Sequence, residues 1–227
     1  MNQFAHLLRW DFVHLQRNQM ISVSLLVGAI YVGLFYLLRS LGNLENLLVV
    51  MVFNDPVIMS YLFAGVLLLF ERDQRTQEAL SVTPQSTAAY LGARAVSLST
   101  VATGVALLMV WIGHGFNLNY LHFTVGTFGT SVLFVGLGCL LGQQSAGFNA
   151  YLIRSVAFFV PVALPLLALF EIWDHPLLYL IPSFPGMLLL KASFGPLAIW
   201  QYAYSYAYLT LAVVLTFWQC YQILRHP

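Results

Sequence analysis

The chain has 227 residues, 60% of them hydrophobic and 7% charged, with nine Lys or Arg against eight Asp or Glu for a formal net charge of +1. Soluble domains carry about 25% charged residues, so an ordinary water-exposed fold is excluded, and no basic face for nucleic acid exists. The composition describes an all-α polytopic membrane protein, because a bilayer accepts helices of about 20 apolar residues directly.

Residues 1–19 lack the charged, apolar and small-residue order of a cleavable signal peptide and are expected to stay in the mature fold. They predict an amphipathic helix: Phe4, Leu7, Leu8, Phe12 and Leu15 share one face, with His6, Arg9, Gln16 and Arg17 opposite. Such a helix lies on the inner leaflet. Asp11 falls within the apolar face, which makes docking on a protein surface an equal alternative.

Long uncharged runs predict six spans, near 20–38, 56–70, 88–112, 123–142, 152–171 and 197–222. The first serves as the insertion signal. Arg9, Arg17, Arg72, Arg75, Arg94, Arg154 and Arg225 fall on one side and only Arg39 and Lys191 on the other. By the positive-inside rule, both termini and the 71–87 loop are cytoplasmic, and the chain belongs in the cell membrane.

Asn54-Asp55-Pro56 reads as a capped helix start at the outer surface, leaving 44–53 as an outer-surface segment. The second span is then only about 22 Å long and must run on into charged residues to reach the cytoplasm. The third span carries small residues from Ser97 to Gly104, and in the fourth Gly138 and Gly142 make a G-x-x-x-G spacing, read as packing within the chain. Residues 172–196 are apolar but broken by Pro176, Pro182, Pro185, Gly186 and Pro196. They predict either a re-entrant segment in the outer leaflet or a surface loop.

In the sixth span Tyr202 and Tyr206 share one helix face and Tyr204 and Tyr208 another. They read as an interfacial belt or, more sharply, as candidates for lining a substrate pathway. Cys139 and Cys220 sit in apolar runs as packing residues, and the six histidines are scattered; His114 and His122 flank one outer loop without the further ligands a metal site needs. No H-E-x-x-H, G-x-S-x-G or phosphate-binding G-x-x-x-x-G-K-[ST] string occurs. An ion-driven transporter is disfavoured because the middles of the spans lack ionisable groups.

The stretch Glu71-Arg72-Asp73-Gln74-Arg75-Thr76-Gln77-Glu78-Ala79-Leu80 is helix-compatible and is closed by Thr83-Pro84. Glu71 and Arg75 have the favourable i,i+4 order. A structured charged helix here implies something to dock against. The string E-R-D-Q-R-T-Q-E-A-L-S-V-T-P after a short second span, followed by Tyr90-Leu91-Gly92-Ala93-Arg94 at the start of the third, resembles the membrane subunit of type-2 ABC transporters. Within these it is most similar to the fluoroquinolone-export permease group, although Arg75 stands where many members have glycine. The resemblance implies that 71–84 is a coupling helix seated in a groove of a separate P-loop ATPase, with Glu71, Arg72, Asp73, Arg75, Glu78, Leu80, Thr83 and Pro84 as docking residues. It also implies that 1–19 is a connecting helix, that 20–227 is one six-span domain, and that two permease chains, identical or related, form the pathway. ATP and Mg would be bound by the partner ATPase, and this chain would hold no cofactor and catalyse nothing itself. Drug-like, lipid or other amphiphilic substrates would be exported. Two rival classes remain: an ion-coupled secondary transporter acting alone, and a non-transporting scaffold subunit.

Overall fold

A computed structural model describes residues 3–38, 44–74, 86–173 and 175–225, and every regular element among them is helical. In chain order these are α1 (Gln3–Arg17), α2 (Met20–Leu38), α3 (Leu44–Val52), a π-helical turn (Phe53–Val57) and α4 (Ile58–Asp73). Then follow α5 (Thr87–Gly113), α6 (Tyr120–Gln143), α7 (Phe148–Ala163), α8 (Pro165–Leu169), a 3-10 turn (Pro176–Leu180), α9 (Phe184–Lys191) and α10 (Ile199–Arg225). Helices α2, α5, α6, α10 and the α7–α8 pair are long and apolar enough to cross a membrane. Helix α4 has 16 residues and is shorter than these five.

Successive helices run antiparallel. The starts of α2, α5 and α7 lie at the same end as the last turns of α4, α6 and α10, as the contacts Arg94–Glu71 and Arg72–Ser145 and the shared burial of Met20, Leu91 and Cys220 require. At the opposite end Tyr36 closes on the Ile112 carbonyl and Asn46 on that of Leu169. Helix α6 is the central post and packs on α4, α5, α7, α9 and α10. Its glycines explain why: a Cβ on Gly138 would stand 2.2 Å from the Tyr61 carbonyl oxygen, and one on Gly142 3.1 Å from the Gly65 backbone. The G-x-x-x-G pair is therefore buried between α6 and α4, where two backbones touch.

The same contact anchors a ring cluster. The Tyr151 hydroxyl of α7 donates to the Tyr61 carbonyl at 2.9 Å, and the Tyr61 ring stacks on Phe158 with centroids 5.2 Å apart. Phe134 and Phe53 close the cluster edge-on, so α4, α6 and α7 are joined by aromatic contacts as well as by glycines.

The expected helix start at Asn54-Asp55-Pro56 is corrected. Helical backbone continues unbroken from Leu44 to Asp73, with the proline taken up in the π-turn. Proline lacks the N–H that an α-turn uses and crowds the carbonyl four residues earlier; a widened turn relieves both problems without ending the helix. Asn54 is thus free of capping and donates its side-chain amide to the Tyr31 hydroxyl at 2.7 Å. Nor is 44–53 an outer-surface segment, because Leu48, Val49, Met51, Val52 and Phe53 are all core residues.

Residues 183–190 fold inward, while most of the 3-10 turn before them stays exposed. Helix α9 is buried on every side from Phe184 to Leu190, as a short helix apolar all round must be. Close approach to α6 sets its position: a Cβ on Gly186 would meet the Thr130 side chain at 2.0 Å, and one on Gly126 would meet Leu189 at 2.9 Å. Ser183 ties the entry to the Val162 carbonyl, and Asn119 N–H ties the exit to that of Ser193. Cys139 and Cys220 are buried free thiols, in keeping with packing roles.

Candidate functional site

The polar chemistry of the described residues concentrates where α1, α4 and α5 meet. Helix α1 reaches this point through a two-residue link, Asn18-Gln19, in which Gln19 takes a φ of 56°. That left-handed conformation is uncommon for a residue with a side chain and turns the chain sharply between α1 and α2. Leu15 is buried in a cluster with Met20, Leu91 and Leu98, and Leu7, Leu8 and Phe12 are half-buried alongside, so the apolar face predicted for α1 lies against the bundle except at Phe4, which is exposed.

Asp11 lies at the centre of that face. Its carboxylate accepts from Arg94 Nε at 3.0 Å and, through the other oxygen, from the Ser97 hydroxyl. Arg94 Nη2 reaches Glu71 at 2.5 Å, and the Tyr90 hydroxyl donates to the second Glu71 oxygen. The guanidinium also lies 5.2 Å from the centre of the Tyr90 ring, within cation–π range. All four carboxylate oxygens are met, while Arg94, its side chain only 4% exposed, retains one donor, Nη1, with no partner. An apolar helix face would be penalised by a lone buried charge. Pairing removes the conflict: Asp11 does not interrupt the docking of α1 but directs it.

The last turn of α4 is fastened in a second direction. Arg72 donates to the Ser145 carbonyl at 2.9 Å, and Arg154 of α7 donates to that of Gln144. Two cations thus satisfy the free carbonyls where α6 ends, the usual place for basic side chains on a helix. Asp73 is exposed. Arg75, Glu78, Leu80, Thr83 and Pro84 lie outside the described residues.

At the other end of the bundle the four tyrosines are half-buried, and each uses its hydroxyl within the fold. Tyr204 donates to the Tyr179 carbonyl and Tyr208 to that of Leu180 at 2.7 Å, holding the 3-10 turn to α10. Tyr202 accepts from Leu197 N–H, and Tyr206 bonds His122 Nδ1 at 2.7 Å. His122 lies tilted against Tyr202 and His114 meets Phe194 edge-on, so the two histidines serve separate aromatic contacts. No cluster of metal ligands occurs among the described residues.

Sequence reasoning located Glu71 and Arg94 at one membrane face but did not join them; it noted Tyr90 only within the family-like string and Ser97 only as a small packing residue, and missed their bonds to the two acids. One signal was available. Tyr90, Arg94 and Ser97 share a helix face at i, i+4 and i+7, and Asp11 is an acid on an apolar stripe that demands a buried cation.

An all-helical bundle with apolar helices of crossing length and its charge gathered at the ends is an integral membrane protein. The chain belongs to the fluoroquinolones export permease protein family, whose family model matches residues 2–226. Two relatives, the fluoroquinolones export permease proteins of Mycobacterium tuberculosis strains CDC 1551 / Oshkosh and ATCC 25618 / H37Rv, are each 31% identical over 159 residues, covering 68% of this chain and 67% of theirs. The chain is accordingly a membrane transport permease.

Proposed function

We propose that the chain is the membrane subunit of an ATP-binding cassette exporter, driven by a separate P-loop ATPase that binds ATP and Mg. In this reading it crosses the cell membrane six times, through α2, α4, α5, α6, α7–α8 and α10, with residue 3 and residue 225 on the cytoplasmic side. Residues 1–19 are the interface helix, 20–227 the transmembrane domain, and 172–196 re-enter from the outer leaflet. A second permease chain, identical or related, completes the pathway.

The observation that carries the reading is the last turn of α4. Glu71 and Arg72 bolt it to α5 and to the α6–α7 turn, and Arg94 carries the link on to Asp11 of α1, so a push on this turn reaches several helices at once. A coupling segment at 71–84 needs such a rigid base if movement of an ATPase is to reach the spans. Because Glu71 and Arg72 are engaged inward, docking falls to Asp73, Arg75, Glu78, Leu80, Thr83 and Pro84. Drug-like amphiphiles are the substrate class, with fluoroquinolones, named for the relatives, the first to try. The rings of Tyr202, Tyr204, Tyr206 and Tyr208 would edge the pathway, their hydroxyls being already committed.

Co-expression with a P-loop ATPase, purification through a tag on the permease, and fluoroquinolone uptake into inverted vesicles test the reading. ATP-dependent uptake, unaffected by collapsing proton and sodium gradients and lost in Asp73→Lys with Glu78→Lys, is expected. Uptake that ignores ATP and fails with the proton gradient would instead make the chain a secondary transporter.

A further inference from the structure

Arg94 binds carboxylates from two different helices, and the donors around it all belong to α5. Nε takes Asp11 of α1 and Nη2 takes Glu71 of α4, while Ser97 and Tyr90, one turn away on either side, take the remaining oxygens. The division of labour depends on the planar, multi-donor guanidinium; an ammonium is a single point of charge and cannot hold two acids in fixed directions. Among the described residues, the other contacts of α1 with the bundle are apolar, so Asp11 is what sets its register on α5. Helix α1 in turn enters α2 through Asn18-Gln19 alone.

We propose that Arg94 is a positioning residue that clamps α1 and the last turn of α4 onto α5, so that α1, the start of α5 and the last turn of α4 move as one body. A push on that turn is then delivered to α5 directly and to α2 by way of α1. The mechanical role rests on the ATP-driven reading above, whereas the clamp itself does not.

The test has two arms, using Asp11→Asn, Arg94→Lys and Arg94→Met in the full chain. In nanodiscs, hydrogen–deuterium exchange of residues 3–17 is expected to rise at least 10-fold in Asp11→Asn and Arg94→Met, and less in Arg94→Lys, with α6 unchanged. Asp11→Asn keeps size and a hydrogen-bonding oxygen, so it decides the question if Arg94→Met fails to fold. In proteoliposomes with the ATPase, fluoroquinolone transported per ATP hydrolysed is expected to fall at least fivefold in Asp11→Asn while hydrolysis per assembled complex stays within twofold. A merely structural role would lower the amount of complex and leave that ratio alone. Unchanged exchange in α1 overturns the clamp; loosened α1 with an unchanged transport ratio overturns its mechanical role. If the wild-type chain holds no ATPase, the functional reading falls and the exchange arm still decides the clamp.

Discussion

Gly138→Ala tests the closest backbone approach in the bundle. The added methyl would stand 2.2 Å from the Tyr61 carbonyl oxygen and 3.0 Å from its carbon, atoms of α4 backbone rather than the tip of a mobile side chain. Carbon–oxygen contacts normally close at about 3.3 Å, so α4 and α6 must part locally by about 1 Å. The Tyr151 hydroxyl bonded to the same carbonyl would be strained with it. Overpacking of this kind costs about 1–3 kcal/mol, and for a chain of this size each kcal/mol lowers the melting temperature by about 2–4 °C. The two buried thiols, Cys139 and Cys220, supply the assay, because a thiol-reactive fluorophore reports their exposure on heating in detergent. We expect a fall of about 2–12 °C for Gly138→Ala and none for Gly104→Ala, where a Cβ meets nothing within 4 Å. A Gly138→Ala melting point within 1 °C of wild type would refute the close approach.

Three further outcomes follow from the same contacts. Tyr151→Phe removes the buried hydroxyl that donates to the Tyr61 carbonyl and should cost about 1 kcal/mol, read as a melting shift of a few degrees with unchanged helical circular dichroism. Gly186→Ala should destabilise by pressing on Thr130, and Thr130→Ala should restore part of the loss; a double-mutant coupling below about 0.5 kcal/mol would place α9 elsewhere. Pro56→Ala gives back the N–H that the π-turn does without, so the turn should tighten; an increase in amide protection across 53–57 by exchange would show it, and unchanged protection would mean that packing rather than proline maintains the turn.

The run lengths in the sequence are enough to determine an all-helical membrane protein and the approximate position of most helices. In lipid every backbone group must be satisfied within its own segment, and only apolar runs of helical length can do this. The end of the bundle that gathers the cations was legible too, since charge cannot sit at mid-depth without a partner. The G-x-x-x-G pair was read correctly as internal packing because small residues are useful only where backbones touch. Local signals misled at Asn54-Asp55-Pro56, whose capping pattern was overridden by burial of Val49 and Val52 before the turn and of Tyr61 and Ala64 after it. Similarly, the prolines of 176–191 described a broken segment and said nothing of how deeply α9 is enclosed. The need of Asp11 for a buried cation was legible, but its partner was not: Asp11 and Arg94 are 83 residues apart, and Glu71 and Arg94 are 23 apart. Composition and periodicity fix what each helix can bury, but which charges meet is decided only when the helices pack, because a buried ion pair depends on directions that no single helix contains.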